Sequence, residues 1–331
     1  IDLNDLNEEA HRVHWRHLVG AKGAALLSAK AWAELQNRLA HVELNSRPDV
    51  PEQLTLTLRP YQVDGFHFLS YLAVNRFGGI LADDMGLGKT VQTITWVLWL
   101  RSQAEGRPQP ALVVCPKSVL DVWAIEFRKA APHIRVQVLH DKDELDVPYL
   151  REQVDVLVMN YAQLRGTSEA LKGITWIAAI LDEGQQIKNP DSKAAIAARE
   201  LVAHHRLVLT GTPMENRLLD LWSLMAFATP GALGERSYFQ KHFDRRKDEK
   251  ASQRLSARLR PFILRRTKGQ VTKELPPRTE ENMLCEMSGV QEQMYRDELA
   301  NAQNMVITAV GKDALQRRRF ALLQALTRLR Q

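Results

Sequence analysis

From Leu58 onward, short apolar runs alternate with stretches of helical period. The runs are Gly79–Ala82, Ala111–Cys115, Val136–Leu139, Val154–Met159, Trp176–Leu181 and Arg206–Leu209. Several are unbroken aliphatic or β-branched stretches, as in parallel strands buried on both faces. Segments such as Thr90–Arg101 and Val119–Ala131 are long enough to be crossover helices. The alternation predicts an α/β fold with a central, mainly parallel sheet. Residues 1–50 read as an Ala/Leu-rich helical extension that closes on the Pro-containing linker Arg47–Pro51. The α/β lobe then occupies 51–230, and a basic helical protrusion and linker follow over 231–280. The last stretch, 281–331, reads as a short strand near Asn282–Glu286 followed by helix from Gln291.

The length of 331 residues allows two domains at roughly 150 residues each. A hydrophobic share of 45% with 25% charged residues excludes a disordered or fibrous chain. No apolar run approaches the ~18 residues of a membrane-spanning helix. Cys115 and Cys285 stand far apart with no CxxC pair, which excludes a disulfide framework or a cysteine zinc site and suits a reducing compartment. His11, His14 and His17 recur every third residue, but no carboxylate or cysteine accompanies them at ligand spacing, so a solvated or packed helix face is expected. The start at Ile1 without an initiator Met and the stop inside a helical pattern read as the ends of an excised piece. The net charge of +6 is unevenly spread: Arg236–Lys273 holds thirteen Lys and Arg against three acids, a local +10 that leaves −4 elsewhere. Such an excess suits a polyanion-facing surface, and equally a solvated helical face.

The strongest chemical signal is Asp83-Asp84-Met85-Gly86-Leu87-Gly88-Lys89-Thr90, directly after a strand and before a helix. A Gly-rich turn there lets backbone N–H groups cradle phosphates at a helix N-terminus. Lys89 would reach the β/γ-phosphates and Thr90 would place its hydroxyl on Mg²⁺. Asp83 departs from GxxxxGK[ST], which wants glycine at that position. Asp182 and Glu183 end an apolar run about 92 residues further on. Acids at the carboxyl end of such a strand point into the ligand crevice. Alone they read as surface residues. Paired with the phosphate loop, Asp182 would hold Mg²⁺ from its outer coordination sphere and Glu183 would orient and deprotonate a water. Leu209-Thr210-Gly211-Thr212-Pro213 closes another run with hydroxyls able to link the site to a second surface, though alone it is an ordinary turn. Gln62, in Arg59-Pro60-Tyr61-Gln62, offers the donor and acceptor that the adenine edge requires.

Together and in this order, these segments resemble the first half of a Swi/Snf-type ATPase motor of helicase superfamily two. The resemblance runs from about Leu58 to Gln331. It includes Val114–Ser118 with Trp123, Asn160-Tyr161, Asp182–Gln185, Leu209–Asn216 and the signature Pro261–Lys268. The Asp83–Thr90 string looks like that family's own phosphate loop, acids included. Gln185 replaces a frequent histidine and is similar to bacterial members.

The resemblance implies a RecA-like lobe with ATP and Mg²⁺ as cofactors. It implies a nucleotide site of Gln62 and Asp84–Thr90, with Lys89, Asp182 and Glu183 as the catalytic residues and Thr90 and Asp182 toward the metal. Coupling falls to Gln185, Thr210, Gly211 and Thr212. Lys117, Ser118, Asn160, Tyr161, Lys188 and Asn189 become candidate DNA contacts, mainly to phosphates, because a translocase steps over any sequence. Residues 281–331 correspond to the opening of a second lobe. The arginine fingers of that lobe would lie beyond it, so the segment by itself is expected to turn ATP over poorly.

The expected function is a DNA-dependent ATPase and double-strand DNA translocase that remodels protein–DNA complexes. Expected partners are double-stranded DNA and DNA-bound proteins such as RNA polymerase, with no membrane. The expected state is a monomer in a bacterial cytoplasm at the nucleoid, or in the nucleus of a eukaryote. A strand-separating helicase and a non-hydrolysing ATP-binding scaffold are the alternatives. The Arg265-Arg266 signature and the basic insertion disfavour the first, and intact Lys89, Asp182 and Glu183 disfavour the second.

Overall fold

The computed structural model describes residues 47–141, 145–211, 218–244, 255–256, 258–271, 283, 286–308, 323–324 and 326–328. The histidine triplet, Cys285, Thr212 and residues 245–254, 257 and 272–273 of the Arg236–Lys273 basic segment lie outside the described residues, as does most of the expected Asn282–Glu286 strand. The chain divides into two compact units, residues 1–273 and 274–331. In the second unit the helix Gly289–Thr308 is the main described element.

The first unit is a seven-stranded, wholly parallel sheet in the order β3-β4-β2-β5-β6-β1-β7. The strands are β1 (Gly79–Leu81), β2 (Ala111–Cys115), β3 (Val136–Val138), β4 (Val156–Asn160), β5 (Thr175–Leu181), β6 (Val202–Leu209) and β7 (Ile263–Leu264). The six expected apolar runs are all strands. Every residue of β1 and β2 is buried, as both faces carry helices. Those helices are α1 (Pro60–Val74), α2 (Lys89–Ser102), α3 (Leu120–Ala130), α4 (Val147–Gln153), α5 (Tyr161–Lys172), α6 (Lys193–Glu200) and α7 (Leu218–Ala228). Helix α2 is buried at every position from Gln92 to Leu100, so it lacks the polar stripe of a surface helix.

Two strands differ from expectation. β6 begins at Val202, ahead of the expected run from Arg206, because His204 and His205 interrupt the hydrophobic pattern without interrupting the ladder to β5. Arg206 is tolerated there because its guanidinium donates to the carbonyls of Leu201 (2.6 Å) and Phe227 (3.3 Å) and lies over the Phe227 ring. β7 is only two residues long, too short for any periodic signal, yet it pairs with β1 through Ile80–Ile263 and Leu81–Leu264.

Sequential strands β1 and β2 are separated in the sheet by β6 and β5. The carboxyl ends of β5, β6 and β1 therefore lie side by side, and those of β4 and β2 continue the same edge. In open α/β sheets that edge is where ligands bind.

Candidate nucleotide-binding site

Three neighbouring strand ends bring the sequence-distant motifs together. β1 leads into the phosphate loop, Asp182 and Glu183 directly follow β5, and Thr210 directly follows β6. Leu81 and Thr210 are tied directly, Thr210 N–H donating to the Leu81 carbonyl at 3.2 Å.

The loop turns twice through left-handed backbone, at Gly86 (φ 86°) and Gly88 (φ 75°). Gly88 is the N-cap of α2, so Lys89 and Thr90 open that helix with their backbone N–H groups at its N-terminus. A side chain at Gly88 would also collide with the amide of Gln62. Gln62 reaches the loop from the first turn of α1, which Pro60 starts at the position where its missing N–H costs nothing. Its Nε2 donates to the Leu87 carbonyl at 3.4 Å and its Oε1 accepts from Arg59 N–H at 2.9 Å.

Lys89 Nζ donates to the carbonyls of Asp83 (2.7 Å) and Asp84 (3.4 Å). Burial lowers its pKa from the usual lysine value, opposed by the charges of Asp83, Glu183, Asp182 and Asp84. Across the crevice, burial pushes the Asp182 carboxyl up, with Glu183's charge adding and Lys89's opposing. Asp182 accepts hydrogen bonds at both oxygens: Oδ2 from Trp123 Nε1 at 2.9 Å and Oδ1 from Glu183 N–H at 2.9 Å. Glu183 stands at φ 49°, a left-handed conformation unusual for a residue with a side chain, and its Oε2 accepts from Gln185 Nε2 at 2.7 Å. Gln185 Oε1 in turn accepts from Thr210 Oγ1 at 3.1 Å. The chain Glu183–Gln185–Thr210 thus links the ends of β5 and β6. Gly211 follows directly, half-buried beside Met85.

Asp83 is not an imperfect glycine. It is fully buried and paired with Arg266, whose Nε donates to Oδ1 at 3.0 Å and whose Nη2 bonds Oδ2. Arg266 also donates to Gln92 Oε1 at 2.9 Å and to the Tyr61 carbonyl. Backbone N–H groups extend this clasp, Ala82 donating to the Leu264 carbonyl (2.7 Å), Asp84 to the Arg266 carbonyl (3.0 Å) and Lys268 to the Asp84 carboxylate Oδ2 (3.1 Å). The segment after β7 therefore lies along the base of the phosphate loop. Asp83 follows β1 and Arg266 follows β7, each next to a second residue of like charge, so nothing local marks the two as partners.

The candidate DNA contacts separate into two groups. Lys117, Ser118, Lys188 and Asn189 are exposed on loops after β2 and β5. Asn160 is half-buried at the end of β4 and caps α5, its Oδ1 accepting from the N–H groups of Ala162 (2.9 Å) and Gln163 (3.0 Å). Tyr161 differs from the expectation of a DNA-facing side chain. The cap turns it inward, it is 8% exposed, and its hydroxyl donates to the Asp182 carbonyl at 2.7 Å. Trp123, which the resemblance groups with Val114–Ser118, is 1% exposed and also serves Asp182.

Among the described residues no three His, Cys, Asp or Glu cluster as a closed metal site. The hard-oxygen set of the Thr90 hydroxyl and the Asp182 carboxylate suits Mg²⁺, which keeps most of its waters and takes one or two carboxylates beside substrate phosphates. The burial and like charge that raise Asp182 are relieved by a cation there.

Comparison with known proteins agrees with this architecture. The chain is 40% identical over 266 residues to the ISWI chromatin-remodeling complex ATPase ISW2 of Saccharomyces cerevisiae, covering 77% of this chain and 24% of that protein. It is 33% identical over 334 residues to the putative ATP-dependent helicase/translocase YwqA of Bacillus subtilis, covering 94% of this chain and 36% of that protein. The chain thus spans a quarter to about a third of these relatives' length. Among solved structures, the Sulfolobus solfataricus SWI2/SNF2 ATPase core in complex with dsDNA superposes with a TM-score of 0.63 at 38% identity, over 85% of this chain and 60% of that one. The SNF2-related domain profile matches residues 61–331, and the chain belongs to that family.

Proposed function

We propose that this chain is the first lobe of a DNA-stimulated, Mg²⁺-dependent ATPase that translocates along duplex DNA and displaces or remodels proteins bound to it. The observation that carries the reading is the convergence of Lys89, Asp182, Glu183 and Thr210 on three adjacent strand ends. Backbone N–H groups of the loop and the opening of α2 hold the ATP phosphates, and Lys89 leaves its carbonyl partners for the β/γ-phosphates. Gln62 exchanges its present partners, Leu87 and Arg59, for the adenine edge. Mg²⁺, when bound by Thr90 and Asp182, supplies charge neutralisation at the phosphates. Glu183 takes a proton from the attacking water as the new P–O bond forms at the γ-phosphorus and the bond to the bridging oxygen breaks. Gln185 and Thr210 hold Glu183 in place. Lys117, Ser118, Asn160, Lys188 and Asn189 meet DNA phosphates, which position the motor without reading bases.

The test is phosphate release by the intact protein with duplex DNA, single-stranded DNA, RNA or no nucleic acid, beside a Glu183→Gln control. The expected result is strongest stimulation by duplex, with the control lower by about 10²–10⁴-fold, as for loss of a general base. No release above that control would leave an ATP-binding scaffold. Strand separation of a duplex substrate would instead make it a helicase.

A further inference from the structure

We propose that Trp123 and Tyr161 are positioning residues that carry duplex binding on the β4–β2 side of the sheet edge to Asp182 in the ATP site. The inference rests on the DNA-stimulated ATPase reading above and adds the route of stimulation. In the sheet, β2 lies between β4 and β5, with Cys115 level with Asn160 and Val114 level with Leu181. The loops after β4 and β2 are the ones that carry the candidate phosphate contacts. Each hands the chain directly to an aromatic residue aimed back at the end of β5. After Lys117 and Ser118, the turn Lys117–Val119 runs into α3, and Trp123 in its first turns donates from Nε1 to Asp182 Oδ2 at 2.9 Å. After the cap Asn160, Tyr161 opens α5 and donates from its hydroxyl to the Asp182 carbonyl at 2.7 Å.

Both rings are buried, so neither touches DNA or nucleotide directly. Their donors fix one acid at two points, side chain and backbone, and the second of these lies at the peptide bond leading into the left-handed Glu183. An aromatic side chain has few rotatable bonds, so a shift or stiffening at the start of α3 or α5 moves its donor atom as a rigid arm. Phosphates held by Lys117, Ser118 and Asn160 restrain those helix starts. The same restraint then selects the arrangement in which Asp182 and Glu183 are set for hydrolysis, a population shift toward one of two arrangements.

The experiment measures kcat and KM for ATP in the intact protein, with and without saturating duplex DNA, for wild type, Trp123→Phe and Tyr161→Phe. Duplex Kd is measured alongside by fluorescence anisotropy. Tyr161→Phe removes a single oxygen and keeps the ring, so it guards against a misfolded Trp123→Phe. The expected result is that the stimulation factor, duplex-bound over DNA-free kcat, falls about tenfold in each variant, the usual scale for one lost hydrogen bond. Duplex Kd stays within about twofold of wild type, since phosphate contacts are kept. Equal falls with and without DNA, leaving the stimulation factor intact, mean a merely structural role and overturn the inference. So does a loss of stimulation that follows weaker duplex binding. A wild type that duplex does not stimulate overturns the DNA-dependent reading itself, and the two failures are told apart by that arm.

Discussion

At the scale of single residues, the Asp83–Arg266 pair decides how firmly the phosphate loop is seated. Asp83 is fully buried and Arg266 nearly so, and the guanidinium meets the carboxylate with Nε and Nη2, Nη2 also donating to Gln92 and Nη1 to the Tyr61 carbonyl. Removing one member of such a pair strands the other charge without solvent. Arg266→Ala is therefore expected to lower unfolding stability by roughly 3–5 kcal/mol, read as a lower urea midpoint. The double variant Asp83→Asn with Arg266→Gln should lose clearly less than the two single variants summed, because no charge is left buried. Arg266→Lys is not a mild change either, since an ammonium cannot copy the planar fork. Gly65 explains the fit: a side chain there would run into Gln92 and Arg266.

At the scale of elements, Asp155 fastens the amino end of β4 to its surroundings. It accepts from Arg101 at the end of α2 (2.8 Å) and from Arg135 just before β3, through both the guanidinium and the backbone N–H (2.9 Å). Burial alone would raise its pKa, but the hydrogen bonds from Arg135 and the charges of Arg101 and Arg135 prevail and hold it down to about 2. An unfolded aspartate titrates near ~3.9. Because the folded value is depressed, the stabilisation is complete above the unfolded value and disappears as pH falls through about 2. The urea midpoint of wild type should thus exceed that of Asp155→Asn by a constant margin above about pH 5, and the margin should close on acidification. A margin that grows toward low pH would contradict the assignment.

The elements also show what pattern reading reaches. The buried parallel strands were legible because unbroken aliphatic runs such as Ala111–Cys115 suit nothing else at that length. The start of β6 was not, because His204 and His205 look like a loop ahead of the run that opens at Arg206. Among the site residues, Lys89 was singled out by its Gly-rich turn, and Asp182 and Glu183 only once paired with that loop. The inward turn of Tyr161 was not legible, since it depends on how Asn160 caps α5 and on which strand end lies next to β4 and β2.

At the scale of the whole molecule, the sequence count of +10 over Arg236–Lys273 overstates the charge available to a polyanion. Arg266 is internal, Arg236 pairs with Asp191 at 2.6 Å, and Arg258 lies over the Phe243 ring. Lys117 and Lys188 are exposed along the carboxyl edge of the sheet. Duplex affinity of the intact protein is expected to fall linearly on a log–log salt plot, and Lys117→Ala should flatten the slope by roughly one unit while weakening all sequences alike. An unchanged slope would take Lys117 off the phosphate backbone.

The sequence by itself determined the fold class, the order of the elements and which residue types stand at the phosphate loop and at Asp182–Glu183. These rest on local periodicity and on residue types at fixed spacing, which need no knowledge of what lies across the sheet. Only the tertiary structure decided that Asp83 belongs to Arg266, that β7 closes the edge beside β1, and that Trp123 and Tyr161 converge on one acid. Such contacts join residues far apart in the chain. Their pairing follows from strand order and from the need of buried polar groups for partners, neither of which a run of neighbouring residues records.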